Sequence, residues 1–162
     1  MRSLVLLLVA LPLSAQTTID IGAAVGQQSY AASTDDSRVL TGADLLARRG
    51  NAGLHVAVEY ADLTEEGALF VFHPDLVYRR PFGSFALMAG AGPTLMNVGG
   101  SGSGLTWNAE LELERRFGRV GVFGRVRHYD YGLERDRAGE SGPDGPAIYV
   151  GVRFQIAGAP GR

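Results

Sequence analysis

From residue 17 onward the chain alternates apolar and polar or small residues at every second position, the period of a strand with two unlike faces and not of a helix. Residues 17–25 place Thr17, Ile19, Ile21, Ala23 and Val25 on one face, with Thr18, Asp20, Gly22 and Ala24 on the other. Residues 38–47 set Val39, Thr41, Ala43, Leu45 and Ala47 against Arg38, Leu40, Gly42, Asp44 and Leu46. Residues 53–60 set Leu54, Val56, Val58 and Tyr60 against His55, Ala57 and Glu59. In residues 68–79, Phe70, Phe72, Leu76 and Tyr78 oppose His73, Asp75 and Arg79, with Leu69 and Val71 blurring the contrast. Residues 84–94 oppose Phe85, Leu87, Ala89 and Ala91 to Ser84, Ala86, Gly90, Gly92 and Thr94. The sharpest alternation is at 105–115, where Leu105, Trp107, Ala109, Leu111 and Leu113 interleave with Thr106, Asn108, Glu110, Glu112 and Glu114. Residues 120–131 interleave Val120, Val122, Gly124 and Val126 with Phe123, Arg125, Arg127 and Tyr129, and residues 147–156 interleave Ile148, Val150, Val152, Phe154 and Ile156 with Tyr149, Gly151, Arg153 and Gln155.

Eight strands follow, and the links between them alternate in length. Tight basic links at 48–51, 80–83 and 116–119 alternate with longer ones at 31–37, 61–67, 95–104 and 132–146, which are richer in Gly, Ser and acid. Short turns at one end and long loops at the other describe an all-β, antiparallel, up-and-down barrel with both termini on the short-turn side. Pro74 has no N–H to give to a ladder, so a bulge or local kink is expected within the fourth strand.

The first residues add a compartment. Met1-Arg2, an apolar run from Leu4 to Leu13 broken by Pro12, and the small residue Ala15 form a signal-peptide pattern, too short for a membrane-spanning helix. The expected organisation is a cleaved signal peptide at 1–15, one barrel domain at 16–157 and a tail at 158–162. The chain carries 15 Arg and no Lys against 17 acidic residues, for a net charge of −2. That balance, with the Arg spread along the chain, gives no reason to expect nucleic acid. Without Cys there is neither a disulfide framework, nor a thiolate metal site, nor an attachment point for a lipoprotein lipid.

A two-faced sheet can close with its apolar side inward, as a soluble periplasmic barrel that binds an apolar ligand, or outward, in lipid. The polar faces decide for lipid. They carry small residues suited to a crowded interior, and ions of opposite sign on neighbouring strands: Glu110, Glu112 and Glu114 against Arg125 and Arg127, with Arg153 on the strand beyond. Aromatic residues gather at the two strand ends, Tyr30, Tyr60, Trp107 and Tyr131 toward the long links and Tyr78, Phe82, Phe85, Phe117 and Phe154 toward the short ones, as in the girdles of a lipid-embedded barrel. Eight strands leave an interior that side chains can fill, which excludes a wide pore.

The stretches FALMAGAGPTLMNVGG (85–100), LTWNAELELERRFGRVGVFGRVRHYDYG (105–132) and IYVGVRF (148–154), together with the signal peptide, resemble the small outer-membrane β-barrel proteins of Gram-negative bacteria, among them the OmpA-like transmembrane barrels. The resemblance implies an eight-stranded transmembrane barrel in the outer membrane, surrounded by outer-membrane lipid and monomeric. It also implies recognition by the barrel assembly machinery through the closing strand, with Phe154 as the terminal aromatic, although Gln155 to Arg162 follow it here.

One constellation invites a test for chemistry. Residues 127–132, RHYDYG, loosely resemble the active region of lipid A deacylase barrels, which would make His128 the base and Glu140 its orienting acid. The nucleophile position is Asp130, and a carboxylate cannot replace serine in turning over an acyl-enzyme, so no enzyme is expected. His55 and His73, on the inward faces beside Glu59 and Asp75, suit hydrogen-bonded lumen histidines better than metal ligands, and neither cofactor nor metal is expected. The Gly-rich run at 99–104 lacks the Lys and helix of a phosphate loop. The leading expectation is a barrel with a structural or surface-interaction role. A lipid A deacylase-like hydrolase and a soluble periplasmic barrel stand as alternatives.

Overall fold

In a computed structural model of the chain, residues 17–29, 37–62, 68–98, 102–130 and 145–158 are described. They form eight antiparallel strands: β1 (Thr17–Ser29), β2 (Ser37–Arg49), β3 (Ala52–Asp62), β4 (Ala68–Phe82), β5 (Phe85–Val98), β6 (Gly102–Phe117), β7 (Val120–Asp130) and β8 (Gly145–Ala157). Each pairs with its neighbours in sequence, and β8 returns to β1, so the sheet closes in the order β1 to β8 and has no edge strand. Ladder pairs between consecutive strands satisfy the backbone without water, which is the condition for a strand at membrane depth. The strands are 11 to 16 residues long. They reach further than the alternation alone marks, most of all in β5 and β6, which take up residues 95–98 and 102–104 that read as loop in the sequence.

Three hairpins share one design. The links β2–β3, β4–β5 and β6–β7 have two residues each, Gly50-Asn51, Gly83-Ser84 and Gly118-Arg119, and the glycines take φ of 62°, 62° and 61°. A positive φ at the first central residue gives the turn the twist of the flanking strands, and Gly adopts it without steric cost.

The disturbance expected at Pro74 takes a form other than a bulge. The β4–β5 ladder runs to Phe72↔Leu95 and resumes at Leu76↔Ala91 with its offset unchanged. That offset sets Pro74 opposite Pro93, so two residues without N–H share one interruption, while β3 continues to pair through Val56↔Pro74. The shift in register lies instead at the closing seam, between Ile19 and Asp20 on β1.

Inside and outside are reversed relative to a water-soluble domain. Leu45, Val58, Leu76, Leu87, Leu111, Leu113, Val126 and Val150 are exposed around the outer wall, whereas Asp44, His55, Glu59, Asp75, Glu110, Glu112, Arg125, Arg127 and Arg153 are buried within. A soluble barrel with its charged face in water is incompatible with this arrangement. Residues 1–16 and 159–162, most of the four long links, and with them Tyr30, Tyr131 and Glu140, lie outside the described residues.

Candidate functional site

The lumen is built in storeys, because inward residues at equal height on eight staggered strands meet across the axis. At the long-link end the storey is apolar. Leu40, Ala61, Leu69, Val71, Met96 and Ala147 pack with the rings of Tyr129 and Tyr149 into one buried cluster that closes the lumen from that side. The two phenols turn their hydroxyls toward the middle of the barrel, 2.9 Å from each other, and donate to Glu59 Oε2 at 2.9 and 2.7 Å.

Below this plug, Arg127 binds Glu59 on β3 and, through Nη2, Glu110 Oε2 on β6 at 2.6 Å. His73 sets Nδ1 3.0 Å from Thr94 Oγ1 and Nε2 3.4 Å from Glu59. Asn108 donates to Asp75 Oδ1 at 2.8 Å and to Thr94 Oγ1 at 2.9 Å. One level down, Glu112 accepts from two arginines. Arg125 reaches it from Nε at 3.0 Å and Nη2 at 2.8 Å, and Arg153 from Nη1 at 2.6 Å and Nη2 at 3.1 Å. Both guanidiniums also hold Asp44 and lie over the ring of Phe123, at 4.8 and 4.6 Å from its centre. Burying so many ions is tolerable only because each guanidinium faces more than one carboxylate and most donors find acceptors.

Glu110, Glu112, Glu114, Arg125, Arg127 and Arg153 are thus all inside, and successive ion pairs link them from Arg127 through Glu110, Arg125, Glu112 and Arg153 to Glu114. Sequence patterning omitted the partners contributed by distant strands: Asp44 on β2, Glu59 on β3, and Tyr129 and Tyr149 as hydroxyl donors. All four occupy inward positions of the alternation, but which partner each meets depends on the curvature of the sheet.

His55 and His73 enter different groups. His55 Nδ1 is 2.8 Å from Glu110 Oε1, and its Nε2 lies 3.4 Å from Asp44 and 3.3 Å from Arg125 Nη2. Donor atoms of His55, Asp75 and Glu110 fall within 4.8 Å of one another, a spacing a metal ion could bridge. The same carboxylates already face Arg127, at 2.6 Å from Glu110 and 3.5 Å from Asp75, and a cation placed there would meet that guanidinium. The chemistry of the group is that of a charge-neutralising network.

His128 is exposed on the outer wall, paired with Ala109 and Pro146. Asp130 ends β7 opposite Trp107, and Glu140 is outside the described residues. On the outer wall, Tyr60, Phe70, Phe72 and Trp107 are exposed toward the long links, and Tyr78, Phe82, Phe85, Phe117 and Phe154 toward the short turns. Arg115 stacks between Phe85 and Phe117, 5.4 and 5.0 Å from the ring centres.

No protein-family model matches the chain, and no curated protein matches its sequence. Solved structures do. Neisserial surface protein A superimposes with a TM-score of 0.62 at 13% identity, covering 87% of this chain and 97% of that one. The N-terminal β-barrel domain of Pseudomonas aeruginosa OprF gives 0.62 at 16% identity, over 86% and 97% of the two chains. A de novo designed transmembrane β-barrel gives 0.60 at 9% identity, over 86% and 95%. The fold is therefore that of the small eight-stranded outer-membrane barrels.

Proposed function

We propose that the chain is a monomeric outer-membrane barrel, exported by residues 1–15, held in lipid by its whole outer wall, and serving a structural or surface-interaction role through its long links. The observation that carries this reading is the reversal of polarity: an apolar exterior around an interior that takes in buried Asp, Glu and Arg side chains. In water the exposed Leu, Val and Phe side chains would aggregate, whereas in hydrocarbon they are at their lowest free energy. The aromatic residues at both strand ends suit the two headgroup regions. The closing strand, with Phe154 outward beside Val152 and Val150, suits delivery by the barrel assembly machinery.

The plugged lumen supports a non-conducting protein, and the outward position of His128 together with Asp130 at the nucleophile position supports a non-enzymatic one. Fractionation tests the location. The protein is expected in the detergent-extracted outer-membrane fraction, with folded and boiled samples migrating differently on a gel. Recovery as a soluble monomer without detergent would overturn the reading.

A further inference from the structure

The lumen is asymmetric along its axis. The long-link end is closed by the apolar plug, whereas the short-turn end opens as a cup lined by Arg48, Arg79 and Arg116, with Thr18, Asn51 and Ser84 among the neutral groups at its rim. The three arginines come from β2, β4 and β6, alternate strands around the barrel, so they approach the axis from three directions. Among the described residues their carboxylate partners are two. Asp20 accepts from Arg48 Nη2 at 3.0 Å and Arg116 Nη1 at 2.9 Å, and Glu114 accepts from Arg116 Nε at 2.6 Å and Arg79 Nη2 at 3.2 Å. Glu114 is further shared with Arg153 from the storey above, at 3.2 Å.

Three guanidiniums over two shared carboxylates leave uncompensated positive charge in a concave, partly desolvated place. Arg48 and Arg116 act on Arg79 as like charges. Donors also go unused, since Arg48 Nε, Arg79 Nε and Arg116 Nη2 are shielded from solvent and have no hydrogen-bond partner. The arginine side chains are themselves only 10–11% exposed, and Asp20 and Glu114 beneath them are fully buried. Outside the cup, exposed Arg49, Arg80 and Arg119 add to the positive potential, and no other acidic side chain among the described residues accompanies them at this end. A structural ion network has no need of an excess of one sign. A binding site for the opposite sign does.

We infer that the short-turn cup binds a phosphate-bearing anion. Planar guanidinium forks approaching from three sides, with hydroxyl and amide groups at the rim, suit a tetrahedral oxyanion better than a planar carboxylate. Two sources offer that chemistry at this end of the barrel: a phospholipid headgroup of the adjacent leaflet, and a soluble phosphate. The lipid source rests on the membrane reading above, and the soluble source does not.

The test uses the full mature chain refolded in phosphatidylcholine nanodiscs. Inorganic phosphate is titrated at constant ionic strength and followed by phosphorus NMR line broadening. Saturable broadening is expected, about tenfold weaker in Arg79→Gln and in Arg48→Gln, the loss of one charge-assisted partner, and no more than about twofold weaker in Arg80→Gln, whose exposed charge acts only through solvent. In a second arm, nanodiscs doped with phosphatidylglycerol are compared with phosphatidylcholine alone by native mass spectrometry. Phosphatidylglycerol retained by the wild type and lost in Arg79→Gln assigns the lipid source, and saturable phosphate binding without lipid retention assigns the soluble one. The inference is overturned if neither arm shows binding, if acetate competes as well as phosphate, or if Arg80→Gln weakens binding as much as Arg79→Gln. Heat-modifiable migration of each variant separates lost binding from lost folding. A barrel that partitions into membranes yet binds no phosphate would refute the cup and leave the membrane reading intact.

Discussion

Arg153 on β8 and Asp44 on β2 form a two-point ion pair that spans β1, Nε to Oδ1 and Nη2 to Oδ2, both at 3.2 Å. Beneath it lies Gly22, whose ladder partners are these same two residues. A Cβ on Gly22 would meet Asp44 Oδ1 at far less than contact distance and the Val152 carbonyl oxygen at 3.1 Å, so the missing side chain is the space through which the pair closes.

Removing one partner should therefore be severe. Arg153→Met leaves Asp44 and Glu112 in the lumen sharing one guanidinium, Arg125, with His55 beside Asp44 at 3.4 Å, and a loss of about 3–5 kcal/mol is expected. Urea unfolding in lipid vesicles, followed by the fluorescence of the single tryptophan, Trp107, measures it. The double variant Asp44→Asn/Arg153→Met should lose clearly less than the sum of the singles; additivity would show that the two are not coupled.

Two glycines separate steric from conformational cost. Gly22→Ala collides with Asp44 and is expected to lose about 1–3 kcal/mol. Gly50→Ala meets no atom within 4 Å but must hold φ of 62°, and should lose about 1–2 kcal/mol. A salt titration distinguishes them: only the Gly22 variant, which disturbs an ion pair, should change the dependence of stability on ionic strength.

Arginine scanning of the outer wall reads depth. Leu111, 52% exposed in the middle of β6, should lose about 2–4 kcal/mol as Leu111→Arg, whereas Val120→Arg beside the short turn should lose about 0–1. Equal and negligible losses in vesicles would mean that the wall faces water.

Trp107 sits two residues into the loop-side part of the wall from Leu105, 56% exposed, opposite Asp130 at the end of β7. Its fluorescence should be quenched more by lipids brominated near the headgroup than by those brominated near the chain end. The reverse order would place the strand ends too deep for the proposed girdle.

His128→Ala should leave the lipid A of expressing cells unchanged by mass spectrometry, as should expression of the wild type. Lipid A lacking an acyl chain only when the wild type is present would revive the hydrolase.

The alternation along the chain determined a great deal unaided. A period of two assigns each residue of a strand to one of two faces whatever the strand's partners, so the outward set from Ile19 to Ile156 and the inward Glu110, Glu112, Arg125 and Arg127 were legible before any fold was known. Link lengths and the glycines at 50, 83 and 118 likewise settled hairpins and topology, because turn geometry is local.

What needed the tertiary structure was every relationship across the lumen. Glu59 and Arg127 are 68 positions apart, and Asp44 and Arg153 are 109 apart. They meet because closure of the sheet and the stagger of its registers lift particular residues of non-adjacent strands to one height, quantities that no single strand carries. The same stagger sorts the interior into an apolar plug, an ionic middle and a basic cup. Composition alone reports a nearly balanced chain of 15 basic and 17 acidic residues; the fold decides that three arginines gather over two carboxylates at one mouth.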